Sequence, residues 1–539
     1  MSDFGPSGKL RSPSQFSFSR SPEAIIPRSS FNRSFGLKTT FDAGYLVPVF
    51  VDEVVPGDSF KLRMTSFARL ATPLTPFMDN LYADVHFFFV PNRLLWTNWE
   101  RFNGAQDNPG DSTDFEVPTI APTAGQPWVV GTLSDYFGLP TGVNDPPPVC
   151  SFWHRAYNLI FNTWYRDQNL QNSVVVDVDD GPDTLSDYVL LRRGKRHDYF
   201  TSCLPWTQKG PAVLLPLGTE APVLGIGTGT TPAYGYTNQT VRESDQTTSV
   251  YAKAHIAETT GGGAWFLEQG STAGYPNVRA DLSAATAATI NQLREAFQLE
   301  RLFERDARGG TRYVEILKSH FGVTSPDFRL QRPEYLGGGT AMINTSPIAQ
   351  TSSTDGTSPQ GNLTAMGVFS HNRIGFSKSF VEHGIVLGLV SVRADMTYQQ
   401  GLNRMFSRRT RYDFYWPAFA HLGEQAVLNK EIYTQGSGGG TDDDEPFGYN
   451  ERFAEYRYKP SQITGKFRST YTTPLDMWHL AQEFTALPTL GPTFIVENPP
   501  IDRVIAVETE PHFLFDAVFD LKCARPMPVY SVPGLIDHF

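Results

Sequence analysis

Residues 60–70 read FKLRMTSFARL, so apolar residues alternate with polar or charged ones along the segment. The apolar positions are Phe60, Leu62, Met64, Ala68 and Leu70, and the polar positions between them include Lys61, Arg63, Thr65 and Arg69. A period of two is typical of a strand that has one face in a core and the other in solvent. We therefore predict a half-buried strand here and exclude a helix.

The same alternation continues on both sides of this segment and returns near the end of the chain. It is present in residues 81–89 and 513–521, while residues 385–392 are apolar on both faces. Pro and Gly punctuate these runs as turn residues do. We expect Thr39–Phe89 to supply adjoining strands and Phe513–Leu521 to pair within the same barrel, because a sandwich covers its edges by closing with distant strands.

Composition agrees with a β architecture that carries insertions. The 539 residues include 46 Gly, 40 Pro and 39 Phe, which favours loop-rich, aromatic-rich β structure over long helical bundles. The chain is far longer than an eight-stranded sandwich requires, so the excess must lie in insertions. The predicted fold is mainly β, an eight-stranded jelly roll at residues 39–539 whose large loop insertions contain a few helices.

Helical spacing appears in two places, near residues 151–166 and 284–321. In the first, apolar residues from Phe152 to Trp164 form one stripe, with His154, Arg155 and Asn158 opposite. In the second, a helical pattern over 284–308 stops at Gly309-Gly310. Both are interpreted as packing helices within jelly-roll loops.

Charge and cysteine content exclude several classes of protein. The net charge of −11 argues against a free-standing nucleic-acid binder, so any contact with nucleic acid must be local. The three cysteines are widely spaced and suggest neither a disulfide framework nor a zinc site. The beginning of the chain lacks the apolar core of a signal peptide, and residues 384–392 are too short an apolar run to span a bilayer. We expect a soluble protein made in the cytoplasm, without membrane insertion.

Residues 1–38 differ from the rest of the chain because they are rich in Ser and Pro and carry six cations against two carboxylates. This composition is typical of an extended basic arm. The candidate DNA-facing residues are Lys9, Arg11, Arg20, Arg28 and Arg33. Charge reversal of the four arginines is expected to lower the amount of packaged DNA more than it lowers shell assembly.

Residues 217–283 have sparse charge and are dominated by Gly, Thr, Ala and Tyr. We interpret them as a large exposed insertion. Its candidate contact residues are Tyr234, Tyr236, Trp265 and Phe266. Two other irregular stretches, 337–362 and 435–445, are predicted to be surface loops from their composition.

Motifs for catalysis or metal binding give no positive signal. The glycines of 225–229 lack the spacing and the lysine of a phosphate-binding loop, and Asp442–Glu445 is more often a solvated acidic tip than a calcium site. The basic clusters Arg192–His197 and Arg404–Arg411 could contact phosphate, but a solvated or interface role is about twice as probable. We predict no catalytic residues, no metal and no cofactor.

Up to this point the sequence fits a viral shell protein and also a carbohydrate-binding or carbohydrate-cleaving sandwich. Several segments, however, closely resemble the major capsid proteins of the Microviridae, especially the gokushovirus branch. These segments are TTFDAGYLVPVFVDEVVPGDSF (39–60), FFFVPNRLLWTNWERFNG (87–104), RRGKRHDYFTSCLPWTQKG (192–210), RYDFYWPAFAHLGEQAVLNKEIY (411–433), FGYNERFAEYRYKPSQITGKFRS (447–469) and the final RPMPVYSVPGLIDHF. Residues 217–283 contain no such segment.

The resemblance implies a viral jelly roll and a T=1 icosahedral virion around circular single-stranded DNA. It also implies that the insertion forms protrusions at the three-fold axes, where it would take part in host attachment. Expected partners are further copies of the chain, the genomic DNA, a pilot protein and a host surface receptor. Because negatively charged subunits cannot neutralise a genome, a small basic DNA-packaging protein or polyamines are also expected.

Overall fold

The computed structural model describes residues 27–530 except 212, 214–222, 231–236, 245, 259–262, 271–276, 281–289, 311, 324–330, 355, 357–358 and 439–440. Lys9, Arg11, Arg20, Tyr234 and Tyr236 therefore lie outside the described residues. The chain divides into two compact units, unit 1 (1–205 and 326–539) and unit 2 (206–325).

The strands of the described residues are numbered in chain order. They are β1 Ser29–Asn32, β2 Phe35–Phe41, β3 Val47–Val54, β4 Ser59–Leu70, β5 Leu81–Pro91, β6 Thr119–Ala121, β7 Val149–Cys150, β8 Asp183–Thr184, β9 Val223–Leu224, β10 Ile226–Thr230, β11 Thr237–Arg242, β12 Thr248–Glu258, β13 Gly263–Glu268, β14 Arg279–Ala280, β15 Glu334–Ala349, β16 Leu363–Ser379, β17 Gly384–Ala394, β18 Thr397–Tyr398, β19 Glu424–Leu428, β20 Pro446–Glu451, β21 Ser461–Gln462 and β22 Phe513–Arg525. The helices are α1 Trp99–Phe102, α2 Leu133–Tyr136, α3 Phe152–Ile160, α4 Ile290–Arg308, α5 Tyr313–Phe321, α6 Asn429–Ile432 and α7 Pro492–Ile495.

Unit 1 is built on the strand order of a jelly roll. One four-strand layer runs β2-β22-β4-β16 and the other β3-β17-β5-β15, and β15 also pairs with β16. The short strand β1 follows the same edge of β22 as β2. This order places the first strand beside the last one, as two Greek keys do. The predicted mainly β jelly roll is confirmed, and β22 pairs with β4 as expected.

Strand β4 shows why the alternating sequence selects this fold. From Phe60 to Leu70 its residues are alternately buried and exposed, and the buried apolar ones belong to the sandwich core. Strand β17 is buried at every position because its two faces serve different cores. Val386 and Val390 lie in the sandwich core, whereas Leu387 and Leu389 pack in a second cluster with α3.

The helix predicted near 151–166 is present as α3, followed by a π-helical turn at Phe161–Tyr165. Its apolar stripe packs in the second core, but the opposite polar side is also buried, with His154, Arg155 and Asn158 each at most 1% exposed. Hydrogen bonds compensate for part of this burial, while His154 Nδ1 and Asn158 Oδ1 have no partner among the described residues. Asn158 donates to the carbonyls of Val175 and Asp187, for example.

The predicted surface loop at 337–362 is wrong for its first half. Residues 334–349 form the long strand β15, which pairs with β5 and β16. The first part of β15 contains glycines because a side chain would not fit at these positions. A Cβ at Gly338 would lie 2.1 Å from the carbonyl oxygen of Val85, and one at Gly337 would lie 2.6 Å from that of Gly375. These glycines serve strand packing and are not turn residues.

Unit 2 contains regular structure where composition indicated only an exposed insertion. Strands β10, β11, β12 and β13 close into a small barrel whose core includes Val241, Tyr251 and Phe266. The short strands β9 and β14 pair with each other at the two ends of the insertion. Helix α4 ends at Arg308, directly before Gly309-Gly310 as predicted.

Candidate assembly and nucleic-acid surfaces

The described part of the basic arm is attached to unit 1. Arg33 forms a two-point ion pair with Asp52, with distances of 2.6 and 2.9 Å between nitrogen and oxygen atoms. Arg28 donates to the carbonyl of Gly57 at 2.6 Å and to the hydroxyl of Ser59 at 3.2 Å. Both guanidinium groups therefore already have partners within the chain. Their role as DNA-facing residues stays a prediction.

The first basic cluster, residues 192–197, is largely turned toward the protein. The guanidinium of Arg192 lies 4.1 Å from the ring centre of Tyr45, and Arg193 forms a 2.7 Å ion pair with Asp84. Lys195 lies over the ring of Phe494, and burial lowers the pKa of its amine to about 8. These contacts favour a structural role over phosphate binding.

Asp84 is the centre of a buried polar group in unit 1. It accepts hydrogen bonds from Arg193 at 2.7 Å, Arg393 at 2.9 Å and Thr340 at 2.7 Å. Burial alone would raise the pKa of Asp84, but the Thr340 hydrogen bond and the two arginine charges outweigh burial and lower the pKa. The carboxylate therefore remains charged and holds three strands together.

The second basic cluster belongs to an exposed surface that sequence analysis did not identify. We call residues 402–422 and 456–458 the aromatic–arginine surface. Arg408 lies over the rings of Phe414 and Tyr456 at 5.3 and 4.2 Å, and Arg411 lies 4.8 Å over Trp416. Its large exposed side chains are Leu402, Met405, Phe406, Tyr412, Phe414, Tyr415, Trp416, Leu422, Tyr456 and Tyr458.

Such a surface has the composition of a protein contact. Aromatic residues, Met and Arg are enriched in the centres of interfaces, and large exposed apolar patches mark them. Two of its cations are already neutralised, because Arg404 pairs with Glu431 at 3.0 Å and Arg408 with Glu455 at 3.3 Å. The run FYWPAF at 414–419, next to the arginines, is the sequence feature that could have indicated this surface.

In unit 2, the two predicted contact residues that the structure describes have different environments. Trp265 is 49% exposed on the outside of the barrel, whereas Phe266 is 1% exposed in its core. Helix α4 adds exposed apolar side chains, with Phe297 65% exposed and Leu293 and Leu302 partly exposed. Unit 2 therefore also leaves apolar surface uncovered in the single chain.

The acidic tip at 442–445 is held by hydrogen bonds within the protein. Asp443 accepts from the backbone amides of Gln435 and Gly436 at 2.9 and 2.8 Å, and Asp444 pairs with Lys430. Within the described ranges, no three His, Cys, Asp or Glu side chains gather as metal ligands. No described helix is long and apolar enough to cross a membrane.

Comparison with known proteins identifies the family of the chain. Residues 19–535 match the family model described as "Capsid protein (F protein)". The chain belongs to this phage capsid protein family. It is 50% identical to the capsid protein VP1 of Bdellovibrio phage phiMH2K, with 97% of this chain and 98% of the relative covered. It is 44% identical to the capsid protein VP1 of Chlamydia phage 1, with 98% and 99% covered.

A third capsid protein VP1, from Spiroplasma virus 4, is 36% identical over 95% of this chain and 96% of its own length. The predicted relationship to the gokushovirus branch of the Microviridae is confirmed. The capsid protein is a structural component of the virion and not an enzyme, and its role requires association with copies of itself.

Proposed function

We propose that the capsid protein assembles into a T=1 icosahedral shell that encloses circular single-stranded DNA, with the insertion at residues 217–283 forming three-fold protrusions that take part in host attachment. The observation that carries assembly is the aromatic–arginine surface, which one chain leaves exposed although it has the composition of an interface centre. The protein is made in the host cytoplasm before it enters the virion.

Electron microscopy and mass measurement of the purified protein test this proposal. We expect icosahedral particles in the megadalton range that protect circular single-stranded DNA from nuclease. A protein that remains a monomer or a small oligomer under all assembly conditions would contradict the shell, and empty particles from infected cells would contradict DNA enclosure.

The Trp416→Ala variant tests the assembly surface. Trp416 is 43% exposed, and its indole donates to the carbonyl of Arg411 and lies under that guanidinium, so its loss should lower the free energy of unfolding of the single chain by about 1–2 kcal/mol and leave the chain folded. If Trp416 is a central contact, truncation costs roughly 2 kcal/mol at each interface and particle yield falls steeply. Tyr530→Ala is the matched control, because Tyr530 is 80% exposed outside this surface. Equal particle yields from both variants would exclude Trp416 from the subunit contact.

Packaging is proposed to need the basic arm together with a small basic protein, since the chain carries a net charge of −11. A pilot protein and a host surface receptor complete the proposed partners. Arg11 and Arg20 lie outside the described residues, whereas Arg33 is paired with Asp52, a side chain that is 9% exposed.

These two groups of arginines are expected to respond differently to charge reversal. Arg11→Glu with Arg20→Glu should lower the DNA content per particle while particle yield stays normal. Arg33→Glu should lower particle yield, because it sets a second carboxylate against Asp52. Nucleic-acid absorbance per particle and particle counts measure the two effects. If the first variant loses yield and DNA content equally, the arm acts as a structural clamp.

A further inference from the structure

The outward face of β4 and β22, here called the sheet face, is exposed along its whole length in the single chain. Its members alternate with core residues. They are Lys61, Arg63, Thr65, Phe67 and Arg69 on β4, and Leu514, Asp516, Val518, Asp520 and Lys522 on β22. Four of these side chains are cations and two are carboxylates.

Two cations of the sheet face form a like-charge pair across neighbouring strands, which is an unfavourable arrangement in a sheet. Lys61 and Lys522 lie directly opposite each other on the same face. Like charges in this position destabilise a sheet. No carboxylate of the described residues lies within 4.0 Å of either amine, or of the Arg63 and Arg69 guanidinium groups. The sheet face therefore has two more cations than carboxylates, and these four cations form no ion pair with a described carboxylate.

The two carboxylates of the face do not neutralise it. Asp516 pairs with Lys38, which lies on β2, at 3.2 Å. Asp520 accepts a 3.4 Å hydrogen bond from the hydroxyl of Ser34 and lies opposite Arg63 without forming an ion pair. The aromatic–arginine surface differs in this respect, since its Arg404 and Arg408 are neutralised within the chain.

An aromatic ring and a groove lie at one end of the sheet face. Phe67 is 45% exposed, and the guanidinium of Arg69 is 5.7 Å from its ring centre. Both side chains line a groove of about 890 Å³ together with Lys38, Tyr136, Leu514 and the carboxylates Asp135 and Asp516, of which Asp516 is paired with Lys38. This volume is in the range of sites that hold small organic molecules, about 300–1,000 Å³.

We propose that the sheet face binds the single-stranded DNA genome. Lys61, Arg63 and Lys522 contact phosphates, and a base enters the groove and stacks on Phe67. Unpaired cations beside an exposed aromatic ring are what sequence-independent binding of single strands needs, because every base has a face that stacks. This inference rests on the proposed enclosure of DNA and assigns residues to it.

Binding of an oligothymidylate to the purified full-length protein, measured by fluorescence anisotropy at several salt concentrations, tests the phosphate contacts. Lys61→Gln with Lys522→Gln removes two contacts worth about 0.7 each in the salt slope, so the slope of log affinity against log salt should fall by roughly 1.4. Thermal stability should stay equal or rise, since the variant also removes a like-charge pair. A merely structural role would lower it.

Lys253→Gln with Lys459→Gln is the matched control, because both lysines are exposed and the change in net charge is the same. The Phe67→Ala variant tests the stacking contact. It should weaken binding about fivefold or more through lost stacking, with an unchanged salt slope because no charge is removed. Ultraviolet cross-linking of DNA-filled particles should place a nucleotide adduct on Phe67.

The proposal is overturned if the double lysine variant binds the oligonucleotide with the affinity and slope of the control. It is also overturned if the variant loses particle yield while oligonucleotide affinity is unchanged, which would make the sheet face a contact between subunits. Wild-type particles without protected DNA would instead contradict the proposed function. The two failures are therefore distinguishable.

Discussion

Capsids in which residues 217–283 are replaced by a short Gly/Ser linker are expected to assemble and package DNA but to lose adsorption to the host. The structure favours intact particles because β9 and β14, near the ends of this segment, pair with each other. The chain positions near the two ends of the segment are therefore close to each other in space. A short flexible linker can replace the residues between them. Particle counts and an adsorption assay measure the two outcomes.

Two point variants refine this test. Trp265→Ala removes a 49% exposed side chain and should reduce adsorption with little effect on barrel stability. Phe266→Ala removes a core side chain of the barrel, which costs about 3–5 kcal/mol and should unfold it. Normal adsorption after the linker replacement would end the receptor hypothesis. Loss of particles would show that the segment is needed for assembly.

The Asp183→Ala variant is expected to destabilise unit 1 by about 3–5 kcal/mol, because it leaves the Arg155 guanidinium buried without its main counter-ion. Arg155 has no exposed side-chain area and donates to both carboxylate oxygens of Asp183. Burial alone would lower the pKa of Arg155, but the hydrogen bond and charge of Asp183 raise it. Urea or thermal denaturation measures the loss.

Asp179→Ala is the control for this prediction, since Asp179 lies 3.4 Å from the same guanidinium but is 79% exposed. An exposed partner contributes at most about 1 kcal/mol. Equal destabilisation by the two variants would mean that burial does not set the strength of this pair. A loss below 1 kcal/mol for Asp183→Ala would mean that water reaches Arg155 in its place.

The alternation of buried and exposed residues made the central strands predictable from sequence. The pattern in Phe60–Leu70 allows only one face to enter the core, and the structure agrees. Strand β15 was missed because Gly337, Gly338 and Gly339 have the composition of a loop. Glycine is needed at these positions because neighbouring strands approach closely. No single segment of sequence reveals such an approach.

The function of surface residues was harder to predict, because the type of a residue does not show where its charged side chain points. Arg193 belongs to a dense basic cluster, yet it faces buried Asp84. Lys61 and Lys522, far apart in the sequence, share one exposed face through strand pairing alone. The family could be named from the sequence, but these groupings required the three-dimensional arrangement.

The position of β22 has a consequence for biosynthesis. This strand is inserted between β4 and the β1–β2 edge, and the residues it joins are more than 400 positions apart in the chain. Pairing over such separations is slow, because a large loop must close before its contacts form. The sheet cannot be completed until the ribosome has released almost the entire polypeptide. Unfinished chains therefore lack a finished sheet, and this sheet can form part of a particle only after its chain has been synthesised through β22.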